Sequence, residues 1–433
     1  MSATWEPILV GREAARAEAA LGAIAEALAC WPPFPEEDPF GSSLATGEAG
    51  LGLFFSYLDR ARPGAGYAEL ADERLERAID GLAASFQQAG LYQGFVSIAW
   101  TVEHLRDRED PDDPNEEIDQ VLYERLAKTP WRDHYDLTRG LAGLGAYALE
   151  RWPTAMAVPC LARVCERLEE LAVPQSLQET GPNAGFAWPT PVWDMNPQDR
   201  QTFPDGMITL GVAHGVPGVL PVLAQALAAG AVPESARALL RGAVEWLLSR
   251  ELPAGDASAF AAAWGPGAAP HPTRSAWCLG DPGIAAALLV TARAAGEPAW
   301  EAAALRLARA AARRPPEATG VRDACLCHGA AGLGHLFNRL YQATGDPELL
   351  AAARAWMERA LDQREPGRGV AGFVTWGPDA TGAMDWRDDP GLLTGAAGVA
   401  LALLAATTPL EPAWDRFLLL SPAISQPRGT TRP

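Results

Sequence analysis

The chain has 433 residues, 48% of them hydrophobic and 21% charged, and its formal net charge is −19. This charge argues against binding to nucleic acid or to an anionic membrane surface, because no run of lysine and arginine offsets it. No apolar stretch is long enough to span a bilayer, and residues 1–20 lack the basic end and apolar core of a secretory signal. We therefore expect a cytoplasmic protein without membrane insertion.

A glycine motif recurs along the chain: one glycine, two further residues, usually a second glycine, and then an apolar stretch. Glycine lets neighbouring helix starts approach closely, although packing alone could select it at most of these positions. Seven copies, spaced 46 to 75 residues apart, begin at Gly47, Gly94 (a degenerate copy), Gly140, Gly215, Gly280, Gly329 and Gly395. This spacing is longer than in most solenoid repeats.

Each motif predicts an apolar helix, a turn and a more polar helix. After Gly280, residues 284–294 are apolar on nearly every face, which is typical of a buried inner helix. Gly296 and Pro298 break that helix. Residues 299–311 then mix arginine and glutamate with leucine, as in a half-exposed outer helix.

The same plan recurs elsewhere, with turns predicted at residues 230–233 and 345–347. Seven such hairpins, closed into a ring, bury the inner helices without capping repeats. The sequence therefore predicts an all-α fold, an α/α toroid with inner and outer helix rings. We expect residues 1–433 to form a single domain with a core at about 41–420.

Two segments depart from the hairpin plan. Residues 106–117 are rich in aspartate and proline, which predicts an exposed loop. Residues 174–205 are long, polar and aromatic and lead to His214, which indicates a functional loop. The aromatic residues that favour a substrate-facing role there are Phe186, Trp188, Trp193 and Phe203.

Cysteine and histidine occur at equivalent places in successive motifs. His214 and His328 each directly precede the first glycine of a motif, and Cys278 lies two residues before such a glycine. Cys327 is adjacent to His328. Because equivalent places in a closed ring converge on one mouth, we expect these side chains to lie close together.

Cys278, Cys327 and His328 form a set of two thiols and one imidazole, which suits tetrahedral zinc. Three protein ligands leave a fourth position open, as in catalytic rather than structural zinc sites. Cys325 offers another thiol nearby and stays an alternative ligand, but Cys327 has the better register with the glycines. Six cysteines are too few for a disulfide framework in a chain of this length.

Several of these motifs, in this order, resemble those of the lanthionine synthetase C-like family. The resemblance spans about residues 41–420 and rests on the segments GVAHGVPG (211–218), WCLGDPG (277–283), LCHG (326–329) and WDRFLLL (414–420). It implies a seven-fold toroid with zinc at its mouth, bound by Cys278, Cys327 and His328. It also implies a stand-alone lanthipeptide cyclase, which adds peptide cysteine thiols to dehydroalanine or dehydrobutyrine to form thioether rings.

The resemblance further implies roles for three residues outside the ligand set. His214 matches the acid that protonates the enolate, Asp136 the acidic residue that assists this transfer, and Arg274 an arginine near zinc that stabilises negative charge. From the residues alone, Asp136 reads as a helix cap and Arg274 as part of a surface ion pair. Leu279 stands where some characterised cyclases have tyrosine, a change that would alter rate or substrate tolerance.

The expected partners are a dehydrated, cysteine-containing precursor peptide, a lanthipeptide dehydratase and an exporter. Two alternatives stay open: a homologue that adds glutathione to dehydrated residues, and a zinc-containing peptide-binding scaffold without catalysis. A glycosidase on an α/α toroid needs two carboxylates beside the sugar bond, and the Cys–His set has no part in that mechanism. His335, on an apolar helix, is expected to be a packed core histidine.

Overall fold

Each of the seven motif glycines directly precedes a helix in the computed structural model, which describes residues 5–35, 37–82, 88–107, 112–177, 183–378 and 382–423. The helices of these residues are α1 (Gly11–Ala29), α2 (Glu48–Ala61), α3 (Tyr67–Asp80), α4 (Phe95–Leu105), α5 (Glu116–Leu126), α6 (Leu141–Glu150), α7 (Ala157–Leu171), α8 (Pro197–Thr202), α9 (Val216–Ala228), α10 (Ala236–Leu248), α11 (Asp281–Ala295), α12 (Pro298–Arg313), α13 (Ala330–Thr344), α14 (Pro347–Asp362) and α15 (Ala396–Thr407).

The helices that follow the glycines form the inner ring: α2, α4, α6, α9, α11, α13 and α15. They are apolar nearly all round, so they are stable only when covered on every side. In α15, for example, eleven of the twelve residues are buried. The predicted inner helix at 284–294 is confirmed as α11.

The outer ring is built from amphipathic helices. In α12 the buried residues include Trp300, Ala304, Leu307 and Ala311, whereas the arginines of the same helix are exposed and its one glutamate is half-buried. Gly296 joins α11 to α12 with φ of 69°, a left-handed conformation that glycine adopts without strain.

The inner ring closes because each inner helix contacts the next one along the chain and α15 returns to α2. The predicted α/α toroid is confirmed. One hairpin differs from the expected order, since the outer helix beside α15 is the N-terminal helix α1. Backbone hydrogen bonds from Ile8 and Leu9 to the carbonyl oxygen of Ala406, both 3.0 Å, hold the start of the chain there.

The C-terminal segment 413–420 begins with a 3-10 turn (Ala413–Leu418) and packs among the inner helices instead of forming an outer helix. Its Phe417 carbonyl accepts from the Tyr92 hydroxyl at 2.7 Å, and its Leu418 carbonyl accepts from Trp277 Nε1 at 2.9 Å. Tyr92 and Trp277 lie in the loops before α4 and α11, so this segment supports the mouth from within the ring.

Backbone hydrogen bonds join the loops that precede the inner helices, all at one end of the ring. This edge-to-edge pairing satisfies the loop amides and fixes which side chains face the mouth. The bonds run from Leu393 N to Ala45 O, Ala45 N to Tyr92 O, Tyr92 N to Thr138 O, Ala213 N to Cys278 O, Trp277 N to Cys327 O, and Cys327 N to Leu393 O.

The part of the chain that the structure describes contains six short strands in three antiparallel pairs: β1 (Val173–Ser176) with β2 (Asn183–Ala187), β3 (Ile208–Thr209) with β4 (Ala263–Trp264), and β5 (Thr375–Pro378) with β6 (Met384–Arg387). The segment 174–205, predicted to be a functional loop, contains most of β1, all of β2, a 3-10 turn (Val192–Asp194) and α8, and its residues 178–182 lie outside the described residues. Of the predicted loop at 106–117, residues 108–111 lie outside the described residues and Glu116 already begins α5. Within the described ranges, no helix combines the length and apolarity needed to cross a membrane.

Candidate active site at the mouth of the toroid

The structure brings together the two cysteines and the histidine predicted to bind metal. One donor atom each from Cys278, Cys327 and His328 lie within 4.8 Å of one another. Cys278 comes from the loop before α11, and the other two come from the loop before α13. The backbone hydrogen bond from Trp277 N to Cys327 O, 3.1 Å long, holds these loops side by side.

The donor set of two sulfurs and one imidazole suits a thiophilic cation, and its two sulfurs interact directly. The Cys327 thiol donates to the Cys278 sulfur, and this bond, with further help from His328 and Arg274, holds the pKa of Cys278 well below its usual range. The same bond and burial raise the pKa of Cys327. His328 Nδ1 is buried and has no hydrogen-bond partner among the described residues, which is unusual for a polar atom and fits a metal ligand.

Cys325 forms a second possible grouping with Asp323 and His328, whose donor atoms also lie within 4.8 Å of one another. Both carboxylate oxygens of Asp323 are already engaged, by the backbone N–H groups of Cys325 and Trp376 at 3.1 and 2.9 Å. These contacts favour Cys327 over Cys325 as the second sulfur ligand.

Arg274 reaches the sulfur of Cys278 rather than a surface carboxylate. Its guanidinium donates to Cys278 Sγ over 3.4 Å. Partial burial lowers the pKa of Arg274, but the nearby Cys278 and Cys327 sulfurs, chiefly that of Cys278, outweigh this effect and raise it. The arginine therefore supplies fixed positive charge beside the sulfur cluster.

His214 and Asp136, predicted as a pair only through the resemblance, are in direct contact. His214 Nδ1 lies 2.8 Å from Asp136 Oδ2, and the His214 side chain is 51% exposed while that of Asp136 is 5% exposed. Burial works against ionisation of Asp136, but the hydrogen bond and charge of His214 and of Arg139 prevail and lower its pKa. The buried carboxylate thus stays charged and fixes one nitrogen of the imidazole.

Asp136 also has the capping role that its position in the sequence suggested. Its Oδ1 accepts from Arg139 N at 2.7 Å and from Thr138 Oγ1 at 3.2 Å, which closes the loop before α6. The two oxygens therefore have separate partners. One shapes the loop and the other faces His214.

A cavity of about 640 Å³ opens beside His214. His214 reaches it from the loop whose Ala213 N–H bonds to the Cys278 carbonyl, so the histidine and the sulfur cluster occupy adjacent loops. Leu279, next to Cys278, forms part of the wall in place of a hydroxyl-bearing side chain. Other lining residues are Asp136, Thr190, Phe203 and His271.

Only part of the predicted functional loop faces this cavity. Phe203 lines it, whereas Trp188 is fully buried and donates from Nε1 to the Leu168 carbonyl at 2.8 Å. Trp188 is therefore a core anchor, and the expectation of a substrate-facing role for it was wrong. Trp193 is exposed and its ring contacts His134 edge-on.

Sequence reasoning missed two charged residues at the cavity. Arg139 forms two hydrogen bonds to Asp194, at 3.0 and 2.8 Å, and a longer one of 3.4 Å to Asp136. His134, Asp136 and Asp194 also have donor atoms within 4.8 Å, but the Arg139 guanidinium already supplies the cation between these carboxylates. Arg139 lies three residues after Asp136 and directly before the motif glycine Gly140, so the sequence could have indicated its position at the mouth. Its distant partner Asp194 had no such signal.

The remaining histidines have structural surroundings. His335 is fully buried with Nε2 2.9 Å from Asp415 Oδ2, which confirms the expected core histidine. His104 is also buried, between the Tyr57 hydroxyl and Glu150, at 2.8 and 3.0 Å.

Comparisons with known proteins agree with this architecture. The sequence model of the lanthionine synthetase C-like protein family matches residues 38–419, so the chain belongs to that family and the resemblance is confirmed. The solved structure of nisin cyclase aligns with a TM-score of 0.71 at 20% identity, over 94% of this chain and 97% of that chain, which shows a shared fold. Cellobiose 2-epimerase from Bacillus thermoamylovorans B4167 aligns with a TM-score of 0.44 at 11% identity, over 83% of this chain and 86% of that one, too distant a likeness to support an argument.

Proposed function

We propose that this protein is a zinc-dependent lanthipeptide cyclase, an enzyme that adds peptide cysteine thiols to dehydroalanine or dehydrobutyrine and so forms lanthionine or methyllanthionine rings. One observation carries the proposal: a sulfur–imidazole cluster with a neighbouring arginine and a histidine–carboxylate pair occupy adjacent loops of one mouth. Membership of the family and the fold shared with nisin cyclase support it.

Cys278, Cys327 and His328 would hold the zinc ion, in line with the unpartnered His328 nitrogen. Zinc bound there would supply Lewis-acid chemistry that lowers the pKa of a substrate thiol. Arg274, 3.4 Å from the Cys278 sulfur, adds positive charge where negative charge accumulates during the reaction.

His214 then acts as the proton donor. When the substrate sulfur bonds to the β-carbon, the carbon–carbon double bond breaks and leaves an enolate, which must gain a proton at the α-carbon. Asp136 holds His214 Nδ1 at 2.8 Å, so Nε2 is the nitrogen that delivers this proton. The proton lost by the substrate thiol returns to His214 through solvent, so the net change is addition of S–H across the double bond.

The cavity of about 640 Å³ is large enough for a segment of peptide chain. We propose a dehydrated, cysteine-containing precursor peptide as the substrate, made by a dehydratase and passed on to an exporter. All six cysteines are free in the structure, which supports action in the reducing cytoplasm.

Zinc content tests the ligand set. Wild-type protein purified without added metal is expected to contain about one zinc per chain by elemental analysis, and Cys327→Ala to lose it. Cys165→Ala is the matched control, because Cys165 is a buried thiol on the outer helix α7. Well-folded wild-type protein without zinc, or a Cys327→Ala variant that keeps it, would overturn this assignment.

Ring closure is measured as loss of alkylatable thiols, because cyclisation does not change the mass of the peptide. A dehydrated peptide that contains cysteine should lose thiols with wild-type protein and keep them with Cys327→Ala. A dehydrated peptide without cysteine, incubated with glutathione, tests the competing activity. If only the glutathione adduct forms, the protein is a glutathione-adding enzyme and not a cyclase.

A further inference from the structure

A loop of residues 191–206 covers one side of the His214 cavity. Its ends are joined by the backbone hydrogen bond from Thr190 N to Met207 O, at 2.7 Å, and by the Thr190 and Thr209 hydroxyls, 3.0 Å apart. Before the loop, Trp188 is anchored in the core. Loops of this length with closed ends are compact surface units that often carry function.

Asp194, near the start of this loop, is tied to the opposite wall chiefly by its ion pair with Arg139, and its Oδ2 also lies 3.5 Å from His134 Nδ1. The two terminal guanidinium nitrogens of Arg139, Nη1 and Nη2, donate to the Asp194 carboxylate at 3.0 and 2.8 Å. The two residues are 55 positions apart in the sequence. Arg139 and Asp194 both line the cavity, so the ion pair spans its rim. The edge-on contact of Trp193 with His134, 4.7 Å between ring centroids, lies beside it.

The same arginine connects the loop to the proton-donating pair. Arg139 Nη2 lies 2.8 Å from Asp194 Oδ2 and 3.4 Å from Asp136 Oδ2, the oxygen that holds His214. A bidentate arginine–carboxylate contact fixes the plane of the guanidinium. Asp194 therefore fixes the orientation of the cation that lies against Asp136.

We propose that the Arg139–Asp194 ion pair is a latch that holds loop 191–206 over the substrate cavity and orients Arg139 against Asp136. Both are positioning residues, since they act through the loop and through Asp136. The proposal rests on the function proposed above for its effect on turnover, but the closed state of the loop is a property of the protein alone.

The latch is suited to opening. Side-chain exposures of 41% for Arg139 and 19% for Asp194 mean that water competes for both ends of the ion pair. A partly exposed ion pair shifts the equilibrium between the closed and open loop by only about twofold to fivefold. An entering peptide can therefore displace the loop. Phe203, which lines the cavity from the same loop, moves away with it when the latch breaks.

Limited proteolysis tests loop closure without any substrate. Arg200 is an exposed trypsin site on α8, inside the loop. Asp194→Asn removes the charge but keeps the shape, and we expect trypsin cleavage after Arg200 to accelerate by about threefold to fivefold. Asp194→Glu, which can still bind the guanidinium, should restore much of the protection.

The matched control is a second bidentate ion pair, in which Arg306 donates two hydrogen bonds to Glu251, of 2.9 and 2.6 Å. These two residues are also 55 positions apart in the sequence. Glu251 does not line the His214 cavity, and Glu251→Gln should leave cleavage after Arg200 unchanged. Equal cleavage rates in wild-type protein and Asp194→Asn would contradict the proposed latch. So would a Glu251→Gln variant that accelerates cleavage as much as Asp194→Asn does.

Kinetics separate the two parts of the proposal. Asp194→Asn is expected to raise KM with a smaller change in kcat, because it opens one wall of the cavity. Arg139→Gln should also lower kcat, since it removes the charge next to Asp136. If Arg139→Gln leaves kcat at the wild-type value, Arg139 does not position Asp136. A protein without cyclase activity that still shows faster cleavage in Asp194→Asn would retain the latch while the proposed function failed.

Discussion

At the scale of single residues, the carboxylate of Asp136 does two things that sequence reasoning treated as alternatives. One oxygen closes the loop before α6 and the other holds His214. The separation is possible because a carboxylate can accept several hydrogen bonds in different directions. A residue that reads as a structural cap can therefore also serve a reaction.

Asp136→Asn separates these roles. The amide oxygen can still close the loop, but the charge beside His214 is lost, and we expect kcat to fall by about 10²-fold or more. Thiol alkylation of a cysteine-containing dehydrated peptide gives the rate. Circular dichroism should show an intact fold. A variant with wild-type kcat would remove Asp136 from the mechanism.

The same residue gives a pH prediction with a defined sign. The folded-state pKa of Asp136 lies below its ordinary value, so its contribution to stability is present above the ordinary pKa of about 3.9 and is lost as pH falls through the folded value. The free energy of unfolding of the wild type should therefore exceed that of Asp136→Asn at neutral pH, and the gap should narrow on acidification below about pH 4. Denaturant titrations at both pH values measure the difference. A gap that widens in acid would contradict the assigned direction.

At the scale of elements, the C-terminal segment 413–420 is anchored by the contacts of one buried carboxylate, that of Asp415. Asp415 is fully buried and bonds to His335 Nε2 at 2.9 Å and Arg339 Nε at 2.8 Å. Burial alone would raise the pKa of Asp415, but the charge of Arg339 and the bond to His335 lower it. Because the same segment supports Trp277 beside Cys278, its anchoring also bears on the sulfur cluster.

Asp415→Ala should therefore destabilise the protein strongly. It leaves the Arg339 guanidinium and His335 without their buried partner, and removing one member of such a pair costs about 3–5 kcal/mol. Glu411→Ala is the control, since Glu411 also pairs with Arg339 but is 51% exposed, and there the loss should stay within about 1 kcal/mol. If urea unfolding gives the same loss of unfolding free energy for Asp415→Ala and Glu411→Ala, burial does not set the strength of these contacts.

At the scale of the whole molecule, the ring depends on a helix from outside the repeats. α1 packs against α15, and its Leu21 and Ile24 are fully buried. This helix lies before residue 38, where the family match begins. We infer that α1 and the repeats form a single folding unit, the domain expected from the sequence.

Leu21→Ala tests whether α1 is integral to the toroid. Leu21 in α1 and Leu349 in α14 are both fully buried on outer helices, so each alanine variant should lose about 2–5 kcal/mol of unfolding free energy. One cooperative transition should be seen in both. A small loss for Leu21→Ala beside a large one for Leu349→Ala would mean that α1 is only loosely attached.

The amino-acid sequence by itself determined where the inner helices begin and which side chains gather at the mouth. Glycine at the start of each apolar stretch recurs in register, and Cys278, His214 and His328 share that register. Once such a ring closes, equal positions in the repeats must converge. The fold and the sulfur–imidazole set could therefore be predicted from the spacing and type of residues.

Only the tertiary structure shows the contacts between residues that do not share the register of the glycine motifs. The pairing of Arg139 with Asp194, the packing of α1 against α15 and the support of Trp277 by Leu418 each join segments that are distant in the sequence. No local propensity specifies these contacts, because their stability depends on distance, burial and orientation that exist only after the ring has formed. Hydrophobic pattern sets where helices lie, whereas the contacts that orient a reactive side chain depend on the folded geometry.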